Sequence, residues 1–137
     1  MTSDNLLKIG ELKEKSGVSI KTIRYYEQIG LIQAEARTSG NFRLFSPQAL
    51  NRLRFIKRSQ RLGLSLQEIG ELLQIHDSGE MPCHQVRHKL TGKIADIDRQ
   101  IAELQVLKQE LTNLMAISDT EGDRAGEEVI CPIIERP

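Results

Sequence analysis

The stretch that decides the fold is VSIKTIRYYEQIG, residues 18–30. Apolar side chains recur at Ile20, Ile23 and Tyr26 with the spacing of one helix face, and the final glycine stands where a helix commonly ends in a left-handed residue. Ser19, directly before the first apolar residue, is a typical N-cap. The pattern predicts a short amphipathic helix over residues 20–29.

A second short helix is predicted just upstream. Within Leu7–Ser16, Ile9 and Leu12 lie three residues apart, and Gly17 interrupts the pattern before the cap of the next helix. Two short helices joined by a glycine-containing turn are typical of a helix-turn-helix.

A hairpin is predicted downstream, because residues 31–45 break the helical spacing. The turn cluster Thr38-Ser39-Gly40-Asn41 precedes the alternating stretch Phe42-Arg43-Leu44-Phe45, which is the pattern of a small β-hairpin, or wing.

Two further helices follow the wing. Ser46-Pro47 supplies an N-cap and a first-turn proline, and this helix closes at Gly63. Ser65 and Glu68 have the spacing of a capping box that begins the next helix. The first 76 residues therefore read as a compact, mainly helical domain.

The segment from Cys83 to about residue 116 contains no proline and one glycine, which predicts one long helix. At 1.5 Å per residue it would be roughly 50 Å long, more than a domain of this size covers with its own atoms. One step of its apolar spacing is missing at Lys108, where Leu107 partly compensates. The remaining apolar residues fall at alternating steps of four and three: Leu90, Ile94, Ile97, Ile101, Leu104, Leu111 and Met115.

Such a heptad stripe favours a coiled coil and hence a homodimer, the alternative being a helix folded back on its own domain. The predicted fold is mainly α, in three parts: a winged helix-turn-helix domain over residues 1–76, a linker and long dimerisation helix over 77–116, and a C-terminal segment over 117–137.

Charge is segregated along the chain, although the formal net charge is zero. Residues 1–76 carry twelve Lys or Arg against seven Asp or Glu, and residues 77–137 carry seven against twelve. The basic first part is suited to a polyanion such as DNA.

Lys21, Arg24 and Tyr25 lie off the apolar stripe of the second helix and are expected to point outward. A helix of this kind fits the major groove, where Lys or Arg reaches guanine edges and hydroxyls reach phosphates. Each cation alone is typical of a solvated surface, but their joint placement on a helix-turn-helix and wing favours DNA binding. The residues predicted to contact DNA are Ser19, Lys21, Thr22, Arg24, Tyr25, Tyr26, Arg37, Asn41, Phe42, Arg43, Lys57 and Arg61.

Several protein classes are disfavoured by what the sequence lacks. There is no run of 18 apolar residues and no basic stretch followed by an apolar one at the N-terminus, so we expect a cytoplasmic protein without membrane contact. Cys83 and Cys131 lie far apart without an export signal, which favours free thiols over a disulfide. No Ser-His-Asp set, paired carboxylates or phosphate-binding glycine loop is visible, so an enzyme is not expected. A purely structural coiled-coil protein is the remaining alternative of a different class.

Five blocks together resemble the MerR family of bacterial transcription regulators, in its metal-responsive branch. They are Ile9-Gly10-Glu11-Leu12, Ile23-Arg24-Tyr25-Tyr26-Glu27, Gly30-Leu31, Gly40-Asn41-Phe42-Arg43-Leu44-Phe45 and Cys131-Pro132-Ile133-Ile134-Glu135. The resemblance implies a homodimer with an antiparallel coiled coil, bound to an inverted repeat in a promoter. It further implies RNA polymerase as a partner, with repression before the ligand binds and activation afterwards through bent and untwisted DNA.

The resemblance also implies a metal site, with residues 117–137 as a C-terminal effector loop that binds the metal. Cys83 follows Pro82 at the start of the long helix, where the helix dipole favours the thiolate that a metal requires. Family members that sense divalent ions carry Cys here, whereas copper(I) and silver(I) sensors carry Ser. Cys131 matches the C-terminal ligand of the family's metal-binding loop, and in an antiparallel dimer Cys83 would meet Cys131 of the partner subunit. The expected inducer is a divalent ion: Zn²⁺, Cd²⁺, Hg²⁺, Pb²⁺ or Co²⁺.

The third ligand stays open, because this chain reads Ile117-Ser118-Asp119-Thr120 where relatives usually carry another Cys. Two thiolates suit a linear soft ion, and a trigonal or tetrahedral ion needs more donors. His84 is the first candidate, and His88, one helical turn further on, is another. His76, Asp119 and Asp123 are further candidates. The alternatives are inert thiols with exposed histidines, a copper(I) or silver(I) sensor, and a regulator that responds to an oxidant or an organic cation.

Overall fold

The computed structural model describes residues 5–117 and 128–135. Helices dominate the chain, which confirms the mainly α prediction. The elements are β1 (Leu7–Lys8), α1 (Ile9–Ser16), α2 (Ile20–Gln28), β2 (Ala36–Arg37), β3 (Arg43–Phe45), α3 (Pro47–Arg61), α4 (Leu66–Asp77), α5 (Cys83–Met115) and α6 (Pro132–Glu135).

The helix-turn-helix is formed by α1 and α2, as predicted. Gly17 ends α1 with a φ of +74°, a left-handed conformation that costs glycine little. Ser19 caps α2 by accepting a hydrogen bond from the Thr22 backbone N–H at 3.2 Å. The turn between the two helices is therefore set by a glycine and a serine cap.

The start of α1 differs from the prediction. The helix begins at Ile9 rather than Leu7, because Leu7 and Lys8 pair with β3, Leu7 opposite Phe45 and Lys8 opposite Leu44. The predicted wing is confirmed: β2 and β3 pair antiparallel, and β3 is the central strand of a three-stranded sheet in the order β1-β3-β2. The wing is thus joined through β1 to the helix-turn-helix.

One hydrophobic cluster holds these elements together. Leu12 of α1, Ile23 of α2, Phe45 of β3 and Leu53 of α3 are completely buried in it. Burying a side chain of this size contributes roughly 1.5–3 kcal/mol. The outward faces of α2 and the wing are therefore fixed by side chains on their inward faces.

Arg52 of α3 fastens the end of α4. Its Nε donates to the Leu31 carbonyl at 2.8 Å, while Nη1 and Nη2 donate to the two carboxylate oxygens of Asp77 at 2.5 and 3.3 Å. A two-pronged guanidinium–carboxylate pair adds geometric specificity to charge attraction. The last residue of α4 is thereby tied to α3, six positions before Cys83.

The chain divides into two compact units, Met1–Arg87 and His88–Pro137. Helix α5 has 33 residues, about the predicted extent, and none of them is buried. The heptad stripe of α5 forms an apolar seam that is exposed to solvent: Ile101 and Leu107 are 48% exposed, and Leu104 is 64% exposed. An exposed apolar seam of this length requires a covering surface.

No helix among residues 5–117 and 128–135 is long and apolar enough to cross a membrane.

Candidate nucleic-acid interface and metal-ligand residues

Helix α2 presents a polar and aromatic face to solvent. Its inward positions are Ile23 and Tyr26, both buried, whereas Lys21, Arg24 and Tyr25 are exposed. The side chains of these three residues combine two charged groups with a phenol, a combination suited to base edges and phosphates. The fold therefore places Lys21, Arg24 and Tyr25 where the sequence predicts them.

Tyr26 lies in the core, unlike the other residues predicted to contact DNA. It is 5% exposed, and its hydroxyl donates to Oε1 of Gln60 at 2.7 Å. Burial raises the pKa of Tyr26 above its usual 10.0, although the hydrogen bond to Gln60 opposes the shift. The reason is the helical period, which puts Tyr26 on the face of Ile23. In this fold Tyr26 stabilises α2 from its buried face, through the core and the hydrogen bond to Gln60.

Ser19 and Thr22 bond to one another at the start of α2. Besides accepting from the Thr22 backbone, Ser19 Oγ donates to Thr22 Oγ1 at 2.8 Å. Their hydroxyls therefore contribute to the helix cap, and a contact of either residue with DNA stays a prediction.

The tip of the wing is ordered by its own polar groups. The Thr38 N–H donates to the Phe42 carbonyl at 2.8 Å, and the Phe42 N–H donates to Thr38 Oγ1 at 3.1 Å. Asn41 has a φ of +68°, and Arg37 Nη1 donates to its carbonyl at 3.1 Å. Phe42 itself is 71% exposed. A firmly held loop thus projects an aromatic ring into solvent.

Arg43 connects the wing to α2 by an ion pair. Its Nε lies 2.6 Å from Oε1 of Glu27, close enough for strong attraction although the N–H is not aimed for a hydrogen bond. Sequence reasoning does not single out Glu27, whose only signal is an acidic residue on an otherwise basic helix. The pair is a contact between wing and helix in addition to the pairing of β3 with β1.

The two predicted cations of α3 have different surroundings. Arg61 is exposed in the last turn. Lys57 Nζ lies 3.4 Å from the Ser16 carbonyl and 3.3 Å from the Gly17 carbonyl, to which it donates. A Cβ at position 17 would lie 2.5 Å from that nitrogen. Lys57 therefore stabilises the C-terminus of α1, a role that its charge alone does not reveal.

A cleft of about 880 Å³ opens between α1, α2 and the wing. Lys8 and Lys15 line it from one side, Arg24 from α2, and Phe42 and Arg43 from the wing. Cations from the four elements β1, α1, α2 and β3 line this concave surface, as do the carboxylates of Glu11 and Glu14. The cations are suited to contact with a phosphate backbone. This cleft and the exposed face of α2 together form the candidate nucleic-acid interface.

Two of the predicted metal ligands, Cys83 and Cys131, lie where helices begin. Cys83 is the first residue of α5, and its side chain is exposed, like those of His84 and His88. Cys131 directly precedes α6 and is half-buried. Both cysteines are free thiols. His76 is exposed near the end of α4.

The described part of one chain brings no three His, Cys, Asp or Glu side chains together as a metal site. Asp119 and Asp123 lie outside the described residues. Free thiols fit a soft, thiophilic ion, and the donors within one chain require completion by further groups.

Known proteins resemble the chain over nearly its whole length. Residues 7–75 match the family described as MerR HTH family regulatory protein, and residues 50–114 match the one described as MerR, DNA binding. The mercuric resistance operon regulatory protein of Bacillus cereus is 41% identical over 93% of this chain and 94% of its own.

Two solved structures with bound metal are also similar. PbrR691 of Ralstonia metallidurans CH34, in complex with lead(II), superposes with a TM-score of 0.72 at 35% identity, covering 93% of this chain and 96% of that one. MerR of Bacillus megaterium MB1, in complex with mercury(II), gives 0.59 at 39% identity, covering 94% and 97%.

Proposed function

The chain belongs to the MerR family of DNA-binding transcription regulators and is not an enzyme, and from that premise we propose that it is a metal-responsive regulator. It binds an inverted-repeat promoter as a homodimer and activates transcription by distorting the DNA when a divalent heavy or transition metal ion binds. The observation that carries the proposal is Cys83, a free and exposed thiol at the first residue of a helix whose apolar seam is unpaired.

In the proposed complex, α2 enters the major groove and the wing follows the adjacent backbone. Lys21, Arg24 and Tyr25 contact the DNA from the exposed face of α2. Phe42 and Arg43 of the wing lie against phosphate, and the ion pair of Arg43 with Glu27 links the wing to that helix. Phosphate contacts by these cations make affinity fall steeply with added salt.

Arg24 provides a direct test of this arrangement. Replacing Arg24 with Ala should weaken binding to the promoter by about 10- to 100-fold, because a good base or phosphate contact contributes roughly 1–3 kcal/mol. Arg99→Ala, an exposed position on α5, is the matched control and should stay within about twofold. Fluorescence anisotropy over a salt series measures both. Unchanged affinity in Arg24→Ala, or a flat salt dependence of the wild type, would contradict the interface.

For the metal, the donors that we propose are Cys83, Cys131 of the partner subunit and His84. RNA polymerase is the proposed partner, which transcribes from the distorted promoter. A bound ion would supply a link between thiolates of two subunits. Smooth bending of such a site costs on the order of 1–6 kcal/mol, which is within the range that differential ligand binding can supply. The likeness to proteins solved with lead(II) and mercury(II) supports a soft divalent ion over a hard one.

A titration of the reduced protein tests the function as a whole. Zn²⁺, Cd²⁺, Hg²⁺, Pb²⁺, Co²⁺ and Cu⁺ are added separately to in vitro transcription from the promoter. At least one divalent ion is expected to raise transcript yield several-fold above the metal-free level, and a chelator should reverse the effect. Response to Cu⁺ alone would indicate a monovalent sensor, and no response to any ion would refute metal sensing.

A further inference from the structure

The N-terminus of the short helix α6 is capped by the side chain of the last residue of the helix, Glu135. Oε2 of Glu135 accepts a hydrogen bond from the Ile130 backbone N–H at 2.9 Å and from the Cys131 backbone N–H at 2.7 Å. The Glu135 backbone N–H donates in turn to the Cys131 carbonyl at 3.1 Å. Both polar backbone groups of Cys131 are therefore bonded to one residue.

This arrangement differs from an ordinary helix cap. The residue before a helix commonly uses its own side-chain oxygen to accept an N–H of the first turn, and Ser, Thr, Asp and Asn are preferred there. Cys131 has no such oxygen, and Pro132, the first residue of α6, has no N–H to be satisfied. The carboxylate of Glu135 orders the backbone instead. The Cys131 thiol takes no part in capping and stays free.

We propose that Glu135 is a positioning residue of the metal site, which fixes the backbone at Cys131 so that the thiol is presented to the ion. This rests on the proposed function, in which Cys131 is a ligand. Two backbone N–H groups bonded to one side-chain oxygen restrain residues 130–131. Without these bonds the presenting conformation would be populated for a smaller fraction of the time. The apparent affinity for metal falls by that same fraction.

Three variants separate positioning from charge, with Cd²⁺ as the probe and a competing chromophoric chelator as the readout. Glu135→Ala removes the oxygen that accepts both hydrogen bonds and should weaken Cd²⁺ binding by about tenfold. Glu135→Gln keeps a neutral acceptor of the same size and should stay within about threefold of the wild type. Glu128→Ala, an exposed position in the same tail, removes the same charge and should bind like the wild type.

A second readout needs no metal. In the metal-free protein, amide hydrogen exchange at Ile130 and Cys131 should be slow in the wild type and Glu135→Gln, and fast in Glu135→Ala. Promoter affinity without metal should be equal in all four proteins, because Glu135 lies outside the DNA-binding unit.

The outcomes are distinguishable. Fast exchange in Glu135→Ala with wild-type Cd²⁺ affinity would overturn the positioning role alone. So would Glu135→Gln binding as weakly as Glu135→Ala, since negative charge rather than backbone capping would then decide affinity. A wild type that binds none of the six ions would overturn the proposed function and the positioning role together.

Discussion

Ile101→Asp is expected to convert the protein from a dimer to a monomer at micromolar concentration. Ile101 lies in the middle of the open seam of α5, 48% exposed in the single chain. In a coiled coil, each dimer would lose two buried isoleucines at roughly 1.5–3 kcal/mol each and would also bury two carboxylates. Together these costs correspond to more than a thousandfold in the dimerisation constant. Sedimentation equilibrium measures the change.

Ala102→Asp is the matched control, because it places the same residue one position further along the same helix, off the heptad seam. It carries the same helix propensity cost as an Asp elsewhere in α5 and should leave the dimer intact. Affinity for the inverted repeat should fall at least 100-fold in Ile101→Asp and stay near the wild-type value in Ala102→Asp, since a monomer engages one half-site at a time. A dimeric Ile101→Asp protein would show that the seam is not the dimer interface.

Cys83→Ser should abolish the response to divalent metal while leaving metal-free DNA binding within about threefold. A hydroxyl is a far weaker ligand than a thiolate for soft ions, so affinity should drop by at least about 100-fold. In vitro transcription with added ion should then remain at the uninduced level.

Two comparisons make the Cys83→Ser result specific. Cys131→Ser should lose the response equally, and the double variant should be no worse than either single one, as expected of two ligands to one ion. Ala95→Ser, an exposed position on α5, should respond like the wild type. Induction that survives in Cys83→Ser would remove this thiol from the sensor.

Those parts of the fold whose signals are local could be predicted from the sequence. The Ser19 cap, the Ser65–Glu68 capping box and the Gly17 turn all depend on residues within four positions of one another, and all are present. Strand β1 could not be predicted, because its two residues pair with Phe45 and Leu44 far along the chain. The apolar spacing that begins at Leu7 resembles a helix until that partner is known.

The candidate interface shows the same limit. The exposed positions Lys21, Arg24 and Tyr25 follow from the helical period alone. The bond of Tyr26 to Gln60 and the contact of Lys57 with Gly17 depend on how α3 packs against the first two helices, which residue types do not encode. A prediction from charge and aromaticity alone therefore makes the DNA interface too large, because it includes Tyr26 and Lys57, whose contacts hold α1 and α2 in place.

The guanidinium of Arg52 has a mechanical consequence. It anchors Asp77 to α3 and to the Leu31 carbonyl, so α4 ends at a fixed pivot. Five non-helical residues, 78–82, lie between that pivot and Cys83. This turn is held at both ends, at the pivot by Arg52 and beyond Cys83 by Val86, which packs against the core, so the Cys83 thiol has a defined place relative to α3.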